Sequence, residues 1–251
     1  MTAYGSFCDD FFVDMYVNTK LDLPENRDTI LAFFERIEKQ YPEMRTFLRR
    51  SRENYCLKDQ EGGGEYRWVS MDRDRVGAGT ANPTDLQVAY NLHRFILELV
   101  PYMLSVSYLD IDSVELVYGM DFDYSGNHDE VISEALFAGS AFSGIMDITG
   151  SRVIQCSPSM VLALTDDQRC QARLTVESKT GYFDPAEAAE ESEEAISLSF
   201  SLRQYPVPGE RFDSIAAYQN LCRLGEELMY DKIINGFARP LNNVIAQKKM
   251  D

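Results

Sequence analysis

From Val114 to Tyr124 the chain alternates. Val114, Leu116, Tyr118, Met120, Phe122 and Tyr124 fall on one side, and Glu115, Val117, Gly119, Asp121 and Asp123 on the other. A period of two sustained over this length fits a β-strand with one buried face. Such a strand cannot bury its apolar face alone, so the run commits the chain to a sheet packed on one side. Phe11, Val13, Met15 and Val17 alternate with Phe12, Asp14, Tyr16 and Asn18 and predict a second strand of the same kind.

Helical periodicity fills much of the remainder. Ile30, Phe33, Phe34, Ile37, Tyr41, Met44 and Leu48 recur at spacings of three and four, which predicts one face of a helix interrupted near Pro42. Asn54–Lys58 and Tyr66–Val76 flank Gly62-Gly63-Gly64 and predict a hairpin. No Gly-Lys-Ser/Thr follows the triplet, so it reads as a turn rather than a phosphate cradle. Asn82 as N-cap and Pro83 at the first helical position predict a second helix. Its stripe is Leu86, Ala89, Tyr90, His93, Ile96, Leu97 and Val100, and Pro101 weakens or ends it.

The order strand, helix, strand, strand, helix, strand is that of a ferredoxin-like βαββαβ unit. Beyond it the pattern predicts a helix over about 129–138, strands near 152–164, 170–179 and 195–204, and a long helix from about 212 to 237 that Pro240 breaks. Asp28-Thr-Ile-Leu-Ala-Phe33 is echoed by Asp213-Ser-Ile-Ala-Ala-Tyr218. That echo fits either two related halves or the shared chemistry of helix starts. The expected fold is therefore α+β: mostly antiparallel sheet with long amphipathic helices on one face. Its halves would be 1–126 and 127–251, sharing a core.

With 251 residues, 45% of them hydrophobic, the chain can bury a large core. Its formal net charge of −17 repels nucleic-acid phosphates and anionic membrane surfaces. The charge suits a basic protein partner, a cation, or simply solubility. Six of the eleven residues in Asp184–Glu194 are acidic, which reads as a solvated loop between strands or a contact for a basic partner. Five cysteines with no CxxC spacing argue against a disulfide framework and for a reducing compartment. No charged-then-apolar leader and no apolar run of about 18 residues occurs, so a cytoplasmic protein is expected.

Asp121–Glu130 imitates two metal signatures. Asp121, Asp123, Ser125 and Gly126 match the start of a calcium loop, but its twelfth position is Ile132, which has no oxygen to offer. Gly126-Asn-His-Asp129 resembles one element of the calcineurin-like metallophosphoesterases. That family also needs several further histidines, and this chain has only His93 and His128. The segment also reads structurally, as a strand end, a Ser-Gly-Asn turn and a helix capped by Asn127. Asp121, Asp123, His128 and Asp129 are thus the candidate ligands of calcium or another divalent metal.

His93 lies on an apolar stripe and reads as a core or boundary histidine with a hydrogen-bond partner. Over Tyr66–Val76, Tyr66, Trp68, Ser70, Asp72 and Asp74 share one strand face, and Arg67, Val69, Met71, Arg73 and Arg75 the other. Tyr66, Trp68, Arg73 and Arg75 are the candidate ligand-binding residues. Alternatively, Arg73 and Arg75 pair with Asp121 and Asp123 on a neighbouring strand.

Several segments together resemble bacterial α+β proteins of about this length, sporadically distributed and built from two similar halves. They are Phe11–Val17, Tyr41-Pro42, Tyr66-Arg-Trp-Val-Ser-Met-Asp72, Tyr118–Tyr124 with Gly126–Asp129, and Ala172–Glu177. The resemblance implies a fold and no activity, and it carries over no functional residue. No serine-hydrolase, Walker, Rossmann, kinase or zincin pattern is present. The expectation is a non-enzymatic protein that binds a protein or small ligand. Its rival is a metal-dependent or phosphate-handling enzyme using Asp121–Asp129 with Arg73 and Arg75.

Overall fold

In a computed structural model describing residues 4–49, 51, 54–60, 64–180 and 194–250, the two alternating strands lie side by side. β1 (Asp10–Thr19) pairs antiparallel with β6 (Ile111–Asp123), with Phe11 opposite Met120 and Met15 opposite Leu116. Their apolar sides therefore coincide, as the shared period requires. The other strands are β2 (Met44–Arg49), β3 (Tyr55–Asp59), β4 (Tyr66–Met71), β5 (Arg75–Ala81), β7 (Ser159–Ala163), β8 (Cys170–Thr180) and β9 (Glu194–Gln204). Together the described strands form one nine-stranded antiparallel sheet in the order β2-β3-β4-β5-β1-β6-β9-β8-β7.

The strands on either side of the β1–β6 pair follow the same order of elements. β1 leads into α1 (Arg27–Gln40), and a meander then returns through β5 to pair with β1 before α2 (Leu86–Met103). β6 leads into α3 (His128–Phe137) and the short α4 (Ser143–Met146). The meander β7–β9 then returns through β9 to pair with β6 before α5 (Ser214–Leu228). β1 and β6 meet at the centre of the sheet. Within this frame β6-β1-β5-β4 with α1 and α2 has the ferredoxin-like order, but its hairpin is β4–β5 rather than the expected pair 54–58 and 66–76, and the expected strand at 54–58, β3, falls outside the unit with β2.

The Asp28/Asp213 echo falls at the starts of α1 and α5, where the capping positions differ. Asn26 caps α1, accepting from Asp28 N–H, whereas Asp213 itself caps α5.

Local chemistry moved several boundaries. α1 stops before Pro42, and Met44 and Leu48 belong to the strand β2 instead of the helix. The Tyr66–Val76 run is two strands, closed by a tight turn in which Asp72 N–H donates to the Arg75 carbonyl at 2.8 Å. α2 is capped by Asp85, not Asn82. Asn82 sits at φ 47°, where its carboxamide accepts from Phe11 N–H and donates to Asp10, tying the start of β1 to the end of β5. Pro101 is tolerated inside α2, which continues to Met103. Pro240 breaks nothing: a π-helical stretch (Met229–Ala238) carries α5 into α6 (Arg239–Lys248), and Pro240 falls in the first turn of α6. Gly62, Gly63 and nearly all of the acidic run lie outside the described residues, but β3 and β4 pair antiparallel as the hairpin requires.

The helices pack on one side of the sheet, where Phe11, Val13, Met15, Leu116 and Tyr118 join Phe33, Leu92, Ile96 and Leu221 in a single core. Each such side chain contributes roughly 1.5–3 kcal/mol on full burial. A small polar network is sealed inside it. Tyr90 on α2 and Tyr118 on β6 share a hydrogen bond of 2.6 Å, and His93 Nδ1 and the Tyr218 hydroxyl share one of 2.5 Å. Tyr90 and Tyr218 stand at matching positions after their caps Asp85 and Asp213, and their rings meet edge to face at 6.3 Å. These contacts tie α2, α5 and β6 together through the core. Burial holds the His93 imidazole down to about 3, so it is neutral, as a core histidine should be.

Candidate functional site

The residues that alternate with the core point to the helix-free side of the sheet. One cross-strand row there runs Lys58, Trp68, Gly79, Asp14, Val117, Ser201. Gly79 explains how the row packs. A Cβ at position 79 would lie 2.0 Å from Asp14 Oδ1 and 2.4 Å from Trp68 Nε1. Only a residue without a side chain lets the indole and the carboxyl come together over this strand.

Around this point the surface is aromatic and cationic. The rings of Tyr16 and Trp68 are 6.0 Å apart. The Arg75 guanidinium lies 4.8 Å from the Tyr16 centroid, and the Lys58 ammonium 5.8 Å from that of Tyr66. Tyr16, Tyr66 and Trp68 are half-buried, each keeping part of its ring accessible.

Asp14 is the chemically unusual member. It is 4% exposed, and its Oδ1 has no hydrogen-bond partner among the described residues. Burial, reinforced by the nearby Asp121 carboxyl, pushes its pKa up to about 8. At neutral pH the group is a protonated acid able to donate or accept one hydrogen bond.

The structure therefore links Trp68 and Arg75 through Tyr16 beside Asp14, with Tyr66 farther along β4, away from Arg75 and in contact with Lys58. Arg73 is elsewhere, in the β4–β5 turn, where it pairs with Asp22 at 3.0 Å. Arg75 also reaches Asp72 at 3.3 Å. Neither arginine has its ion pair with Asp121 or Asp123, because β1 lies between β5 and β6. Asp14 was visible in the sequence as a carboxyl between Phe12 and Tyr16. That it faces Gly79 depended on a pairing no local pattern encodes.

The candidate metal ligands are divided by the sheet. Asp121 and Asp123 belong to the helix-free side of β6. His128 opens α3 on the other side and is 4% exposed. Its Nε2 donates to the Tyr124 carbonyl at 2.5 Å, and its Nδ1 shares a hydrogen bond of 2.8 Å with the Ser178 hydroxyl. Both imidazole nitrogens are thereby engaged. Asp129 accepts from Cys156 N–H at 2.7 Å, and Asn127 caps α3 through Glu130 N–H. Among the described residues no group of three or more His, Cys, Asp or Glu side chains converges as a ligand set.

A separate cleft of about 430 Å³ is lined by Pro42, Glu43, Arg45, Asp59, Glu65 and Arg67. Arg67 is already matched there by Asp59 at 2.9 Å and Glu43 at 3.4 Å. All five cysteines are free thiols, and among the described residues no helix is long and apolar enough to cross a membrane.

No family model matches the chain, and no curated protein matches it in sequence. Fold and site define an α+β protein with a helix-covered core and an aromatic, acid-containing patch on the opposite side of its sheet.

Proposed function

We propose that this is a non-enzymatic binding protein whose recognition surface is the Tyr16–Tyr66–Trp68–Arg75 cluster over Asp14. The observation that carries this reading is Asp14 itself, a buried carboxyl left with an unpartnered oxygen beneath the indole. Burying a polar group without a partner costs stability, and such costs concentrate where a ligand completes the bonding. Trp, Tyr and Arg are also the residues that dominate binding energy at recognition surfaces.

The ligand is a small molecule or a segment of a basic protein. It brings a flat or cationic group to stack on Tyr16 and Trp68 and a hydrogen-bonding group for Asp14. The −17 charge favours cationic partners and disfavours nucleic acid and anionic membranes. The five free thiols support a cytoplasmic location. The enzyme reading through Asp121, Asp123, His128 and Asp129 with Arg73 and Arg75 lacks an assembled ligand set among the described residues.

Trp68 is the chain's single tryptophan, so its emission reports on this patch alone. Titration with arginine, spermidine and basic peptides should give a saturable change in emission that Tyr16→Ala and Asp14→Asn weaken. If every titrant that binds by calorimetry leaves Trp68 emission unchanged, recognition occurs elsewhere and the reading fails.

A further inference from the structure

The two outer edges of the sheet are built differently. β2 carries Arg45 and Arg49, and its pairing with β3 slips between Met44 and Thr46. Charges and bulges of this kind keep an edge from pairing with another chain. At the far edge, β7 reads Ser159-Met160-Val161-Leu162-Ala163, without a charge and in unbroken register with β8. All five residues are exposed, with Met160 at 61%, Val161 at 49% and Leu162 at 52%. The chain leading into β7 is also exposed at Phe142, Ile145, Ile148 and Ile154. Among the described residues no strand pairs with the outer edge of β7.

We propose that β7 is a self-association strand. Two copies of the chain pair antiparallel through β7 about a two-fold axis at Val161, which makes one sheet continuous across both. In that register Met160 faces Leu162 of the partner subunit, and each backbone edge satisfies its own copy.

Charge selects a second copy over other occupants. A basic partner recognises carboxylates, and β7 has none. On a chain of −17, an uncharged strip is where two copies approach with least repulsion. The joint also has an internal precedent, since β1 and β6 fuse the two half-sheets by the same antiparallel pairing.

The test is the mass of the full chain in solution, by light scattering and sedimentation, from micromolar to near-millimolar concentration at low and high salt. The wild type is expected to form a dimer that tightens with salt as repulsion is screened. Val161→Lys with Leu162→Lys should raise the dimer Kd more than about tenfold. Circular dichroism should not change, and at low concentration, where both proteins are monomeric, neither should the thermal midpoint, because both side chains are exposed. Phe47→Lys on β2 should leave the dimer intact. Amide exchange at 159–163 should slow as the dimer forms. A wild-type monomer throughout the concentration range, or a dimer that survives the double substitution, overturns the proposal.

Discussion

Asp14→Asn tests the chemistry of the site most directly, because the structure predicts both the size and the pH window of its effect. Asp14 has a folded-state pKa near 8, against an ordinary carboxyl value of 3.8. The folded state therefore holds a proton that the unfolded state releases above about pH 4. Stability contributed by this group falls by about 1.4 kcal/mol per pH unit as pH rises between those values. His93 acts in the opposite sense. Its pKa is lowered from 6.5 to about 3, so its contribution is full above 6.5 and is lost on acidification through that range. From pH 4 to 6.5 the two slopes nearly cancel. From 6.5 to 8 Asp14 acts alone, and the wild type should lose about 2 kcal/mol of unfolding free energy.

Asparagine has the same shape and never ionises, so Asp14→Asn should be flat over that window. At pH 7 it should be more stable than the wild type by about 4 kcal/mol. Below 6.5 it should expose the acid sensitivity of His93 that Asp14 masks. Urea unfolding of both proteins at half-unit pH steps from 4 to 8 measures all of this. Parallel wild-type and variant curves between pH 6.5 and 8 would refute the assignment of a protonated, buried Asp14. A variant that is more stable yet binds ligand less well would mark Asp14 as a residue kept for function.

Further expectations concern the packing and the Asp121–Asp129 segment. Gly79→Ala drives a methyl into Asp14 and Trp68, so it should cost about 2 kcal/mol and red-shift the Trp68 emission. Gly225→Ala on α5 places its Cβ 2.6 Å from the buried Tyr118 hydroxyl. There an overpacking cost of about 1–3 kcal/mol should outweigh the roughly 1 kcal/mol gained in helix propensity, lowering the thermal midpoint. Tyr118→Phe strands the Tyr90 hydroxyl in the core and should cost about 1–3 kcal/mol by denaturant unfolding. Millimolar calcium or manganese should leave the thermal midpoint unchanged, because both His128 nitrogens are already bonded. A metal-induced rise abolished by Asp121→Asn would contradict that.

The amino-acid sequence by itself determined the two central strands, because a period of two fixes which side chains share a side whatever lies next to them. It also determined the buried stripes of α1 and α2, the cap at Asn127 and the core character of His93, since each rests on spacing within one element. Only the tertiary structure decided where Met44 and Leu48 lie, because a spacing of four that continues past Pro42 satisfies both a helix and the start of a strand. The turn that splits Tyr66–Val76 reversed the phase of Arg75 relative to Arg67, and the order of strands placed Arg73 and Arg75 away from Asp121 and Asp123. The binding patch depends on the same non-local facts. Asp14 becomes a neutral acid because Gly79 lies beside it on one strand and Trp68 comes from the next, and side-chain period carries no information about which strands pair.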